Sequence, residues 1–446
     1  VDLAHGLGGG GDLPISASAA VLGGSAALIV SFAVLTMAWR RPRYDNLLGR
    51  PGRARRGRPA PGWLADLVDA PWWTRTLRAI GLVLLAFALW CGVAGPDDPG
   101  TNPLFGLVYV VLWVGLVPGS LLLGPVVKAL SPARTLHRGL TRLLPASRRD
   151  GWWSLPAWAG RWPAAAGLVA FAWVELIAPG GTTLSVLAAW FAGYAVVVLG
   201  GAVLFGPTWF ARADPFEVYS TLVAHLSPWS RDHRGRLEVV GPLHHLSRVE
   251  PGPGLLAVVS VLLGSTAFDS YRESASWLRF TQANPDGVVL LETLLLLAVC
   301  TLLGGLFWLA TSTETVVRGI SRRTAPSYLA HAVVPIVVGY MTAHYLTLLV
   351  ETGQSTLIQA SDPLGRGWNL FGTADRHVDL WLSLHPELLA TVKVLAIVLG
   401  HVVGVVAAHD RSLALLPPRR HVTGQLALLA VMVAYTFGGL YLLFGL

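Results

Sequence analysis

Long apolar runs separated by short polar stretches set the pattern of this chain. Ten runs stand out, near residues 17–38, 77–96, 104–130, 162–179, 183–206, 253–270, 287–310, 327–350, 387–409 and 422–445. Each is close to the roughly 20 residues that a helix needs to cross a hydrocarbon core of about 30 Å. The pattern therefore predicts an all-α, polytopic integral membrane helix bundle of about ten transmembrane helices. Composition agrees, with 53% hydrophobic and 13% charged residues, against about 25% charged in an average soluble domain.

The polar stretches supply the orientation. "WRRPRYDNLLGRPGRARRGRP" after the first run and "SPARTLHRGLTRLLPASRRD" after the third are dense in arginine, and "TSTETVVRGISRRTAPS" after the seventh is basic too. Positive loops stay cytoplasmic, which places the N- and C-termini outside. The lipid bilayer of the plasma membrane is thus the first partner, and anionic headgroups suit the net charge of +8. Basic and aromatic residues show no interleaved pattern, so no nucleic acid is expected. The opening "VDLAHGLGGGGDLP" reads either as a mature start left by signal-peptide removal or as the start of a shortened chain, with His5 extracytoplasmic in the first case.

Four regions follow: an extracytoplasmic segment 1–16, a five-helix half 17–206, a cytoplasmic amphipathic linker 207–252, and a second five-helix half 253–446. Opposite starting sides would make the halves inverted repeats, a common transporter plan. Within the linker, Phe216, Tyr219, Val223 and Leu226 fall on one side of a helix expected to lie against the membrane or the bundle, with Asp214 and Pro215 at its start. The outer loop 351–386 is long enough to fold over the bundle or re-enter it.

Candidate chemistry sits where polar residues interrupt apolar runs. In "HAVVPIVVGYMTAHYLTLLVETGQ", Tyr340, His344, Thr347 and Glu351 recur at helical spacing and form one polar stripe. Such a stripe faces other helices or a water-filled path. Interhelical hydrogen bonding is the plainer alternative to a ligand or proton path. His331 lies on the same run, though thirteen residues leave about 140° between it and His344. The ninth run adds His401, with Gly400 and Gly404 allowing close helix approach, and His409 with Asp410 at the inner edge beside His331. These four histidines are the candidate metal ligands. In "GSTAFDSYRES", Gly264 to Asp269 look able to break the sixth helix, as at transporter ion sites, or merely to cap its end. Glu175, Glu292 and Lys393 are further charges in apolar runs, Lys393 being placed to snorkel.

Absent motifs narrow the field. No G-x-S-x-G elbow, H-E-x-x-H, P-loop or dinucleotide fingerprint occurs, and Cys91 and Cys300 form neither a zinc motif nor a disulfide framework. Two readings remain from the residues. One is a proton- or ion-coupled permease for a cation, metal ion or small polar solute, acting alone or as a homo-oligomer. Its path would be lined by Tyr340, His344, Thr347, Glu351 and His401, with Asp269 at the helix break. The other is a redox subunit holding haem b or copper through transmembrane histidines, with partner membrane subunits.

A third reading comes from resemblance. The stretches "AHGLGGGGDLP", "ADPFEVYS", "TAFDS", "AHYLTLL", "SDPLG" and "GHVVGVVAAHDRSL" resemble a polytopic membrane family sometimes labelled fenitrothion hydrolase. The run of four glycines and Ser270 depart from the family pattern, which has an Arg after two glycines and a Gly respectively. The resemblance implies a metal-dependent ester hydrolase, whose usual chemistry is a water activated between two metal ions.

Overall fold

The computed structural model describes residues 16–44, 57–143, 145, 150–312 and 320–444. The expected extracytoplasmic segment with His5 lies almost wholly outside the described residues, as do parts of three Arg-containing loops. In chain order the helices that build the bundle are α1 (Ala17–Ala38), α2 (Pro71–Ala94), α3 (Pro103–Val114), α4 (Leu116–Leu123), α5 (Trp162–Leu176), α6 (Leu184–Phe205), α7 (Pro215–Ala224), α8 (Leu255–Arg272), α9 (Val288–Ser312), α10 (Ala325–Gln359), α11 (Pro386–Leu415) and α12 (Thr423–Phe444).

Seven of these (α1, α2, α6, α9, α10, α11 and α12) are long and apolar enough to cross a membrane, and α3 with α4, bent by 45°, would make an eighth. Their outward surfaces are apolar. Val93 is 87% exposed, Val196 72% and Leu302 59%, which suits hydrocarbon rather than water. The chain is a multi-pass α-helical membrane protein. Helix α10 is its centre, with 72% of its apolar window buried against 11–44% in the other six.

Glycines set the tightest contacts. Cβ atoms at Gly339 and Gly400 would stand 2.4 Å from the Ala396 carbonyl oxygen and 2.5 Å from that of Pro335. Helices α10 and α11 therefore touch backbone to backbone, and Gly400 and Gly404 permit close approach as the sequence suggests. Helix α10 itself is irregular. A 3-10 turn at Ala330–Val333 precedes Pro335, which has no N–H to give the α-helical ladder. A π turn follows at Leu348–Thr352.

One expectation is corrected here and another is narrowed. The sixth helix is not broken: α8 runs unbroken through Gly264 and Asp269. Gly264 serves packing, since a Cβ there would lie 2.7 Å from the Cys300 Cα on α9. The Ser265 and Thr266 hydroxyls fold back onto the Leu262 carbonyl, so they satisfy themselves within the helix. Of the two positions expected for helix α7, against the membrane or against the bundle, it takes the second, and it is buried on its polar face as well. Asp214 caps it, accepting from the Phe216 and Glu217 amides at 3.0 and 3.2 Å, and every residue from Pro215 to Ala224 except Thr221 is buried. Its polar residues find partners inside: Glu217 takes two bonds from Arg134 at 2.5 and 2.6 Å, and Ser220 pairs with Ser120 at 2.8 Å.

The end of the bundle near α7 also carries the small sheet. Strands β1 (Arg58–Pro59), β2 (Trp229–Arg231) and β3 (Leu237–Val239) pair antiparallel in the order β1–β3–β2, with Arg58 and Trp229 both opposite Val239. The other end is closed by connecting segments around residues 95–102, 177–183, 273–287 (which contains a short helix, Ala275–Ala283) and 360–385, cross-tied by Gln359 to the Pro99 and Gly100 carbonyls and by Asp97 to the Leu184 amide.

Candidate functional site

The polar centre forms where the last turn of α8 meets the middle of α10. Asp269 and Glu273 are four residues apart and share a face of α8. Across from them, α10 presents His344 and Tyr345. One ligand atom each from Asp269, Glu273 and His344 lies within 4.8 Å of the other two, the only such grouping of three or more His, Cys, Asp or Glu among the described residues. Asp269 is 4% exposed and His344 5%.

Hydrogen bonds fix this arrangement. Asp269 Oδ2 accepts from the Tyr345 hydroxyl at 2.7 Å and from His344 Nε2 at 2.9 Å. His344 Nδ1 meets Ser270 Oγ at 3.1 Å, and Ser270 Oγ accepts from the Tyr340 hydroxyl at 3.1 Å while also reaching the Thr266 carbonyl at 3.2 Å. Ser270 has one proton. Given to His344 Nδ1, it leaves a neutral imidazole with Nε2–H toward Asp269. Given to the Thr266 carbonyl, it lets a doubly protonated His344 donate from both nitrogens. The same heavy atoms thus hold either protonation state of His344.

Arg272 bonds Glu292 on α9 at 3.1 Å, and the Trp277 indole N–H bonds the same oxygen at 3.3 Å. Glu292, expected at an interface, is 7% exposed and engaged in this pair. Lys393, expected to extend toward the interface, is instead 3% exposed inside α11.

The predicted residues divide. Tyr340, His344 and Asp269 come together. Thr347 is buried next along the stripe, and its Oγ1 has no hydrogen-bond partner. Glu351 leaves the stripe, because the π turn alters the helical phase at 348–352. Its two oxygens accept from the Ser383 amide at 3.0 Å and the Ser383 hydroxyl at 2.9 Å, so it ties the 360–385 loop to α10. The four histidines do not converge. His331 Nδ1 donates to the Tyr328 carbonyl at 3.0 Å and His401 Nδ1 to that of Ile397 at 2.9 Å. His409 uses both nitrogens, on Gln425 Oε1 and the Trp39 carbonyl. Asp410 accepts from the Arg43 and Tyr44 amides at 2.6 and 3.0 Å, a structural tie rather than a ligand position.

Glu273, Tyr345 and Ser270 complete the site, and sequence reasoning gave none of them a role in it. The signal for Glu273 was its i, i+4 spacing from Asp269. Tyr345 had no local signal, since its partner lies on another helix. No protein-family model, curated protein or solved structure matches the chain.

Proposed function

We propose that the chain is a permease for a divalent transition-metal cation, coupled to proton movement, with Asp269, Glu273 and His344 as the cation's ligands. The observation that carries this reading is the convergence of the three donors within 4.8 Å. Two carboxylates and an imidazole suit cations such as Mn²⁺, which favour oxygen-rich sites and accept nitrogen. Ligand bonds of about 2.0–2.2 Å set donors roughly 3–3.5 Å apart, so the 2.9 Å between His344 Nε2 and Asp269 Oδ2 is already close to one edge of a coordination shell. Tyr345 and Ser270 orient the donors from behind.

Proton coupling follows from the same bonds. Without a cation, a proton lies between His344 and Asp269, and a cation that uses Nε2 must displace it. Binding therefore releases a proton, and affinity rises with pH. With the Arg-rich end cytoplasmic, the site belongs to the outer half of the plasma membrane. In this reading α5, α8 and the bent α3–α4 pair also cross, giving ten spans in two inverted halves. The test is Mn²⁺ uptake into proteoliposomes. Wild type takes up Mn²⁺, and Asp269→Asn and His344→Gln do not; uptake undiminished in both variants refutes the assignment.

The resemblance to the fenitrothion hydrolase family supports a second reading, favoured by the ligand count, since three protein donors are what a catalytic zinc uses. Hydrolysis of an organophosphate triester by Zn²⁺-loaded protein, lost in His344→Gln, would select it. A Soret band in the purified protein would instead select the redox reading.

A further inference from the structure

Helices α5 and α9 both pack on α8, and beside them lies a groove of about 450 Å³. Ala166, Ala170 and Trp173 of α5, Trp190 of α6, and Thr293 and Leu297 of α9 are among the residues that line it. Ala166 and Ala170 stand four residues apart on one face of α5, and both are exposed. Two methyl groups in place of longer side chains leave the hollow. Trp190 is a fixed wall, since its ring packs on Phe171 at 5.2 Å and stacks on Tyr194 at 5.3 Å. Trp173 bridges α5 to α9: its indole N–H donates to Thr293 Oγ1 at 2.8 Å, and the Thr293 hydroxyl donates in turn to the Val289 carbonyl at 2.6 Å.

Those bonds decide what fills the groove. Its polar side-chain groups are spent on each other and on backbone, and the rest of its lining is alanine, valine, leucine and the Trp190 ring. A buried water needs about two to four polar partners, more than the groove offers. Left empty, the lining would lose its dispersion contacts on one side. Hydrocarbon remains, and it is at hand. Leu297 shares a face of α9 with Leu290 and Leu294, all exposed, so the groove is continuous with the membrane-facing surface of a helix long and apolar enough to span. Size narrows the occupant further. An apolar cavity of about 150 Å³ holds one benzene, so this groove takes about three times as many carbons, some eighteen. That is one lipid chain.

We propose that the groove binds one acyl chain of a membrane phospholipid, which fills the space beside α5 and α9 as part of the fold. Three helices contribute to its walls, whereas a convex helix face touches a lipid from one side. More dispersion contacts therefore hold this chain than hold its neighbours in the bilayer. Recognition is through hydrocarbon, because no charged side chain lines the groove among the described residues. The site stands apart from Asp269, Glu273 and His344 and does not depend on the permease reading.

The test uses the full chain in one mild detergent, with native mass spectrometry after adding phosphatidylcholine of defined chain length. Wild type should retain one dioleoyl phosphatidylcholine per chain. It should retain didecanoyl phosphatidylcholine at least about tenfold less, because a short chain leaves a cavity behind it. Dioleoyl phosphatidylglycerol should be retained as the choline lipid is. Ala170→Phe fills the groove and should abolish retention, while Leu294→Phe, on the open face of α9, should leave it unchanged. Size-exclusion chromatography checks folding, and Ala166→Leu, a smaller filling, decides if the phenylalanine variant aggregates. Wild type without bound lipid, equal retention of the two chain lengths, or retention undiminished in the filled variants overturns the proposal. So does a dimer of the chain that Ala170→Phe dissociates, which would give the groove to a second copy.

Discussion

Replacing Tyr345 with Phe removes one oxygen and tests how the carboxylate at the centre is held. Tyr345 is 1% exposed, and its hydroxyl donates to Asp269 Oδ2 at 2.7 Å, beside His344 Nε2 at 2.9 Å. A hydrogen bond to a charged group contributes about 1.5–3 kcal/mol. Loss of a partner that orients a metal ligand lowers affinity by about 10–100-fold. Tyr340 provides the internal comparison. Its hydroxyl donates at 3.1 Å to Ser270 Oγ, one step removed from the ligand His344. That neutral bond contributes about 0.5–1.5 kcal/mol, mostly to stability. Titration calorimetry with Mn²⁺ should show Tyr345→Phe weakened by at least about tenfold and Tyr340→Phe by much less. Equal losses, or no loss in Tyr345→Phe, would refute the idea that Asp269 is a ligand held by Tyr345.

Three further outcomes are expected. Gly339→Ala should lower the melting temperature in detergent, because its Cβ would meet the Ala396 carbonyl oxygen at 2.4 Å and overpacking costs about 1–3 kcal/mol; an unchanged melting temperature would contradict the backbone contact of α10 and α11. Glu217→Gln leaves the guanidinium of Arg134, 11% exposed, without its carboxylate, and breaking such a pair costs about 3–5 kcal/mol, read as loss of monodisperse protein on mild heating. The segment between α6 and α8 should loosen in acid. Burial and the neighbouring His245 push the His225 imidazole down to about 4, and burial also lowers that of His245. Folding therefore favours the neutral rings, and their stabilisation is lost as pH falls from about 6.5 toward 4. Hydrogen exchange at residues 221–246 should rise over that window in wild type and less in His225→Gln.

The helices were legible where length and apolarity alone decide, as in α1, α6 and α9. Asp269 and His344 were legible because an ionisable group in an apolar run demands a partner. The partners themselves were not. Tyr345 and Ser270 acquire meaning only when α8 and α10 are side by side, and nothing local to either helix marks that meeting. Glu351 was misplaced because uniform helical rotation was assumed through 348–352, where the backbone widens into a π turn. Gly264 resembled a helix breaker in sequence, yet serves as a seat for Cys300. Helix α7 looked amphipathic from its four spaced apolar residues, while its polar face is buried against Arg134 and Ser120.

The central claim is that Asp269, Glu273 and His344 bind a cation. Mn²⁺ binding to purified wild-type protein, followed by electron paramagnetic resonance alongside Asp269→Asn, tests it most directly. Binding of one Mn²⁺ per chain, abolished in Asp269→Asn and strengthened as pH rises, is the predicted result. Binding absent from wild type, or equal in the variant, would contradict it.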